Sequence, residues 1–160
     1  MKALLAVMLM SLAFVAQAQT LKAQQFEDQW EKPAVLNADT HWLVLTQTKD
    51  AGSNVKEAFS ELKLSDLSQY KLLYIADVSG MPGFITSMIA IPKMKDYAFQ
   101  IGLIRDEAQL KELQLGDVNK EQVLVLKLNN LEVVSSQSFA DKEALIAFLK
   151  ADVLTDNQSK

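Results

Sequence analysis

Short apolar runs alternate with amphipathic stretches along this chain, and that order limits its possible folds more than any other feature. Trp42 to Leu45, Lys71 to Asp77 and Gln100 to Arg105 are each mostly apolar and of strand length, and helical stretches separate them. Strands joined by helical crossovers run parallel in one sheet. The clearest strand-and-helix unit spans His41 to Leu64. Its strand gives way to the polar Thr46, Gln47, Thr48, Lys49 and Asp50 and to Gly52, after which Val55, Ala58, Phe59 and Leu62 recur at i, i+3, i+4 and i+7. Asn54, followed three residues later by Glu57, predicts a capping box at the start of that helix.

The second apolar run ends at Asp77 and is followed by the turn cluster Ser79 to Gly83. Phe84, Ile85, Met88, Ile89 and Ile91 then predict a buried helix that Pro92 stops or kinks, with a further helical piece over Lys93 to Phe99. After the third run, Asp106 predicts the cap of a short helix with Leu110 and Leu113 inward, ended by Gly116. Val123 to Leu128 and Leu131 to Ser136 read as two strands of a hairpin joined by Asn129 and Asn130, residues that tolerate positive φ. A last helix is expected over Asp141 to Ala151. The reading is α/β, with a mostly parallel central sheet, a C-terminal antiparallel hairpin and flanking helices. It places one domain at 41–152, a lead-in at 19–40 that lays Phe26 and Trp30 on the core, and a tail at 153–160.

Lys2, the apolar stretch Ala3 to Val15 and Ala16-Gln17-Ala18 together predict a secretory signal peptide over 1–18, cleaved before Gln19. That points to a periplasmic address. The apolar stretch is too short for a comfortable membrane span, so no transmembrane segment is expected in the mature chain. The chain has no cysteine, which removes disulfides and thiolate chemistry. Its net charge of −4 is scattered, whereas a nucleic-acid partner would need a basic stripe. The partner expected is another periplasmic protein, and no cofactor motif of the GxGxxG or P-loop kind is present.

The order of elements from Trp42 to Ala151 resembles the thioredoxin-like superfamily, and more closely its peroxiredoxin-like branch, with the segment QIGLIRDEAQLKEL inserted before the hairpin. The segment ADVSGMPGFITS is also similar to the YtfJ-type periplasmic proteins. The resemblance implies a redox site in the loop before the first helix, but the chain departs from it there. Thr46 is followed by Gln47, Thr48 and Lys49 with no sulfur, and Lys120, Glu121 and Gln122 stand where the superfamily has a proline before the penultimate strand. A hydroxyl cannot replace the sulfur in dithiol exchange. The resemblance therefore implies a redox-inactive member, a binding or accessory protein without thiol oxidoreductase or peroxidase activity.

Three other constellations carry chemistry. Asp50, Asp77 and Asp106 fall at or just beyond the ends of predicted parallel strands, where open α/β sheets bind ligands, and could hold Ca²⁺ or Mg²⁺ for a metal-dependent enzyme. Each is also a residue type that caps helices and orders turns. Lys49, Ser53 and Asn54 could surround a small anion at a helix N-terminus. His41, the only histidine, is without partners for a zinc site or a triad. Met81, Pro82, Phe84, Met88, Met94, Tyr97 and Phe99 suit core packing first and an adaptable interaction surface second.

Overall fold

The computed structural model describes residues 18–156. The expected signal peptide, Ala18 apart, and residues 157–160 of the expected tail lie outside them. Among the described residues seven strands form one mixed sheet, in the order β2 (Pro33–Leu36), β1 (Gln24–Asp28), β5 (Gly102–Ile104), β4 (Leu72–Asp77), β3 (Trp42–Thr46), β6 (Val123–Asn129) and β7 (Glu132–Phe139). Its centre is the parallel trio β3 (Trp42–Thr46), β4 (Leu72–Asp77) and β5 (Gly102–Ile104). All five residues of β3 are buried, as a strand covered on both faces requires. An antiparallel hairpin flanks the trio on each side: β1 (Gln24–Asp28) with β2 (Pro33–Leu36), and β6 (Val123–Asn129) with β7 (Glu132–Phe139).

The second hairpin is the expected one, and the first forms in the stretch read as a lead-in. Its signal was period-2 burial. Phe26 and Asp28 of β1 and Ala34 and Leu36 of β2 point inward. The buried Asp28 carboxylate accepts the N–H groups of Trp30 at 2.7 Å and Lys32 at 2.9 Å, and Glu31 takes φ 63° to close the turn. Pro33 opens the outermost strand, where a missing N–H costs no ladder bond. Gly102 suits the close approach of this hairpin to β5, since a Cβ there would stand 3.3 Å from the Ala34 Cβ and 3.4 Å from that of Phe26, and these neighbours would have to give way.

Helices cover both faces. On one side α1 (Lys49–Glu61), a helical segment over 83–94, and α5 (Lys142–Phe148) with its π-turn extension Leu149–Val153 enclose Trp42, Val44, Tyr74 and Phe99. On the other, Leu113 beyond α4 (Glu107–Glu112) joins Leu21, Leu43, Leu45, Ile75 and Leu126. Val153, placed at the start of the tail, is fully buried, and Asp156 pairs with Lys127 at 3.5 Å.

Two expected boundaries shift. Helix α1 begins at Lys49, capped by Thr48, whose hydroxyl accepts the Ala51 N–H at 3.3 Å, so Asn54 is inside the helix and not its cap. The cause is tertiary. Ala51, Val55, Ala58 and Phe59 form one buried stripe that starts a turn earlier than the sequence pattern suggested, and its burial outweighs the cost of about 1 kcal/mol for Gly52 in a helix. The hairpin turn also falls one residue later. Asn129 pairs with Glu132, and the positive φ values belong to Asn130 at 51° and Leu131 at 68°. A register shift between Lys127 and Leu128 accounts for the extra residue. Leu131 then packs on the core while its carbonyl accepts the N–H of Leu21 at 2.8 Å. Gln19 to Leu21 thereby lie along the start of β7, with Thr20 bridged to Glu132.

Candidate functional site

The parallel trio brings Thr46, Asp77 and Ile104 to one edge of the sheet, because β3, β4 and β5 share a direction and are in register there. At that edge only Gln47 separates the end of β3 from the cap of α1. Beneath the first turn of α1 the Thr46 and Tyr74 hydroxyls form a buried hydrogen bond of 3.0 Å. Burial pushes the Tyr74 hydroxyl up to about 12, although the bond to Thr46 works the other way. Gly52 closes over the pair, its missing Cβ 3.7 Å from the Tyr74 hydroxyl and 3.9 Å from Thr46 Oγ1. The space under the helix start is filled by a neutral polar pair. Sequence reasoning did not single out this pair, although Thr46 and Tyr74 are the hydroxyl-bearing residues of two otherwise apolar runs.

The six residues proposed for metal or anion binding are spread over separate local roles. Lys49 and Asp50 are exposed in the first turn of α1. Ser53 Oγ donates to the Lys49 carbonyl at 3.0 Å, and Asn54 Nδ2 donates to the Ala140 carbonyl at 3.3 Å, tying α1 to the start of α5. Asp77 accepts the Ser79 N–H at 2.9 Å and the Ser79 hydroxyl at 2.6 Å, which orders its turn. Asp106 caps α4 by accepting the Ala108 N–H at 2.8 Å. Among the described residues no three His, Cys, Asp or Glu side chains are grouped so as to hold a metal ion. Two half-open grooves of about 280 and 300 Å³ are lined by none of the six. His41 precedes β3 at the opposite edge, with its carbonyl accepting the Leu128 N–H at 2.7 Å.

The helical segment after Asp77 departs most from expectation. It runs as α2 (Gly83–Ile85), a π turn Thr86–Ala90 and α3 (Ile91–Met94), and it is not the buried helix the sequence suggested. Phe84 is 67% exposed, Met88 76% and Ile89 51%. The physical reason is that this segment carries large apolar residues on more than one side, yet only one side can face the core. Thr86 is buried there, with Met81, Ile91 and Met94 packed against the core from the same segment. The wide turn changes which residues follow that side, and π turns are frequent where a helix serves a function.

The far end of the segment is fastened by the β1–β2 turn. Gln29, fully buried, donates to the Phe99 carbonyl at 2.7 Å and the Met94 carbonyl at 3.3 Å, and accepts the Ile101 N–H at 2.8 Å. Trp30 Nε1 donates to the Lys95 carbonyl at 3.3 Å. The segment also carries a local charge of its own. From Val78 to Lys95 there is no acidic residue, Lys93 and Lys95 are exposed, and Lys56 stands 5.2 Å above the Tyr97 ring. The exposed Asp96 follows directly, so the charges at this end of the segment are mixed.

No protein-family model and no curated protein matches the chain. Solved structures do. A SCO1/SenC family lipoprotein from Bacillus anthracis str. Ames superposes with a TM-score of 0.56 at 13% identity, over 84% of this chain and 95% of that one. The thioredoxin domain of a thiol-disulfide oxidoreductase from Bacteroides vulgatus gives 0.56 at 11% identity, over 87% and 99%. The peroxidoxin BcpB of Mycobacterium tuberculosis gives 0.54 at 13% identity, over 84% and 96%. Likeness at such low identity speaks to the fold. In fold the chain is thioredoxin-like, of the kind found in Sco and peroxiredoxin-type proteins, and it is built without a single cysteine.

Proposed function

We propose that this chain is an exported, redox-inactive thioredoxin-like domain that works by binding, as an accessory protein to another exported protein. The observation that carries the reading is the exposure of Phe84, Met88 and Ile89 together on one helical segment. Leaving such side chains in water forfeits about 1.5–3 kcal/mol each relative to burial, which a partner surface would recover. The exposed Lys93 lies four residues after Ile89 on the same helical segment, which would suit a carboxylate beside the partner's apolar contact surface. The leader-like sequence over 1–18 supports export to the compartment where such a partner would be met.

A photoreactive side chain placed at the exposed Ser87 tests this in living cells. One discrete adduct is expected, weakened by Lys93→Glu with Lys95→Glu and abolished by Phe84→Asp, while the same probe at Lys111 on α4 gives none. Equal adducts from both positions, or an adduct insensitive to Phe84→Asp, would sink the reading.

A further inference from the structure

Beyond position 18 the chain holds three methionines, Met81, Met88 and Met94, and all fall in the helical segment that follows Asp77 and in the turn leading into it. With no cysteine present, these thioethers are the only readily oxidised sulfur in that part of the protein. They are not equivalent. Met81 and Met94 are half-buried and packed against the core, whereas Met88 is 76% exposed beside the exposed Ile89. We infer that Met88 is an oxidation site at which a peroxide adds a polar sulfoxide to the exposed cluster of Phe84, Met88 and Ile89 and releases its partner.

The chemistry needs no protein group beyond access. The Met88 sulfur gives two electrons to the peroxide O–O bond and takes one oxygen, the other oxygen leaves as water or alcohol, and the product is methionine sulfoxide. A dithiol-dependent reductase reverses the step, the sulfoxide oxygen leaving as water while the two thiols join as a disulfide. The consequence is confined to the surface. A sulfoxide at a half-buried position would disrupt core packing, but at Met88 it adds a strong hydrogen-bond acceptor to side-chain area already in water. The fold is retained, and burying the oxidised face becomes unfavourable because its new polar group would lose water.

This inference rests on the binding reading above, and one set of variants separates the two. The intact protein is treated with limiting hydrogen peroxide, its oxidised peptides are identified by mass spectrometry, and its retention on a phenyl-derivatised matrix is measured. Met88 should gain oxygen before Met81 and Met94, with retention reduced and the far-ultraviolet circular dichroism unchanged. Met88→Leu should keep both retention and the Ser87 adduct under peroxide, and Met88→Gln should lower both without it. Oxidation of Met81 or Met94 ahead of Met88 overturns the inference. So does an adduct that survives Met88→Gln and peroxide yet disappears in Phe84→Asp, an outcome that leaves the binding reading standing. An adduct that survives Phe84→Asp instead removes the binding reading itself, and this inference with it.

Discussion

The hydroxyls of Thr46 and Tyr74 meet at 3.0 Å beneath the first turn of α1, on neighbouring parallel strands and sealed from solvent. Tyr74 titrates near 10 when unfolded and near 12 in the fold. Its contribution to stability is therefore fully present below pH 10 and is lost as pH rises through 12, a decline of about 2–3 kcal/mol. Tyr74→Phe should flatten that decline. At pH 8 the same variant should cost about 1–2 kcal/mol, because Thr46 Oγ1 is left buried without a partner. Urea unfolding at pH 8 and pH 11 measures both effects, and an unchanged alkaline slope would show that Tyr74 does not govern it.

Gly52 lies in the interior of α1, where glycine is a poor helix former. An added Cβ would meet its neighbours at 3.7 and 3.9 Å, ordinary contact distances. Gly52→Ala should accordingly stabilise the protein by about 0.5–1 kcal/mol, seen as a raised Tm. A lowered Tm would mean that the Thr46–Tyr74 pair needs more room than its distances indicate.

Gln29 joins the β1–β2 turn to the end of the helical segment through bonds to Phe99, Met94 and Ile101. Replacing it by leucine leaves the buried Ile101 N–H and the Phe99 carbonyl unpaired, at a cost of about 2–4 kcal/mol. Hydrogen exchange should quicken first at Ile101. A uniform loss of protection across the sheet would argue against a local clamp.

Leu21 is buried and its N–H is held by the Leu131 carbonyl at 2.8 Å. Leu21→Ala should cost about 2–4 kcal/mol, the usual range for a large side chain removed from a core. If denaturant unfolding shows less than half of that, the contact between Gln19–Leu21 and β7 is not a stable part of the fold.

Asp77 and Asp106 each spend a carboxylate oxygen on their own turn or cap. Millimolar Ca²⁺ or Mg²⁺ should therefore leave Tm unchanged. A rise that saturates with metal and disappears in Asp77→Asn would return the acidic strand ends to consideration as a metal site.

The parallel trio, the C-terminal hairpin and the helices around them were legible because their apolar residues follow periods of 2 and 3.6. The β1–β2 hairpin was harder to see, since the Asp28 side chain makes its turn and Glu31 supplies the positive φ in place of glycine or asparagine. Asn54 and Glu57 imitate a capping box, and only the buried stripe beginning at Ala51 shows that the helix starts earlier. The 84–91 stretch was least legible. Apolar composition is the same whether a side chain faces the core or water, and only the seating of Thr86 against the core decides that Phe84 and Met88 face out.

The pairing of Thr20 with Glu132 joins two segments far apart in the sequence. A contact this distant in sequence carries a large loop-closure cost and forms only after the segments between have been ordered. The first residues beyond the leader-like stretch thus have no strand to join until the last third of the chain is present. In any chain emerging with its amino end first, from a ribosome or through a membrane pore, Gln19 to Leu21 lack these partners until the β6–β7 hairpin arrives. The seating of Gln19 to Leu21 in this way reports that the chain through the β6–β7 hairpin has been ordered.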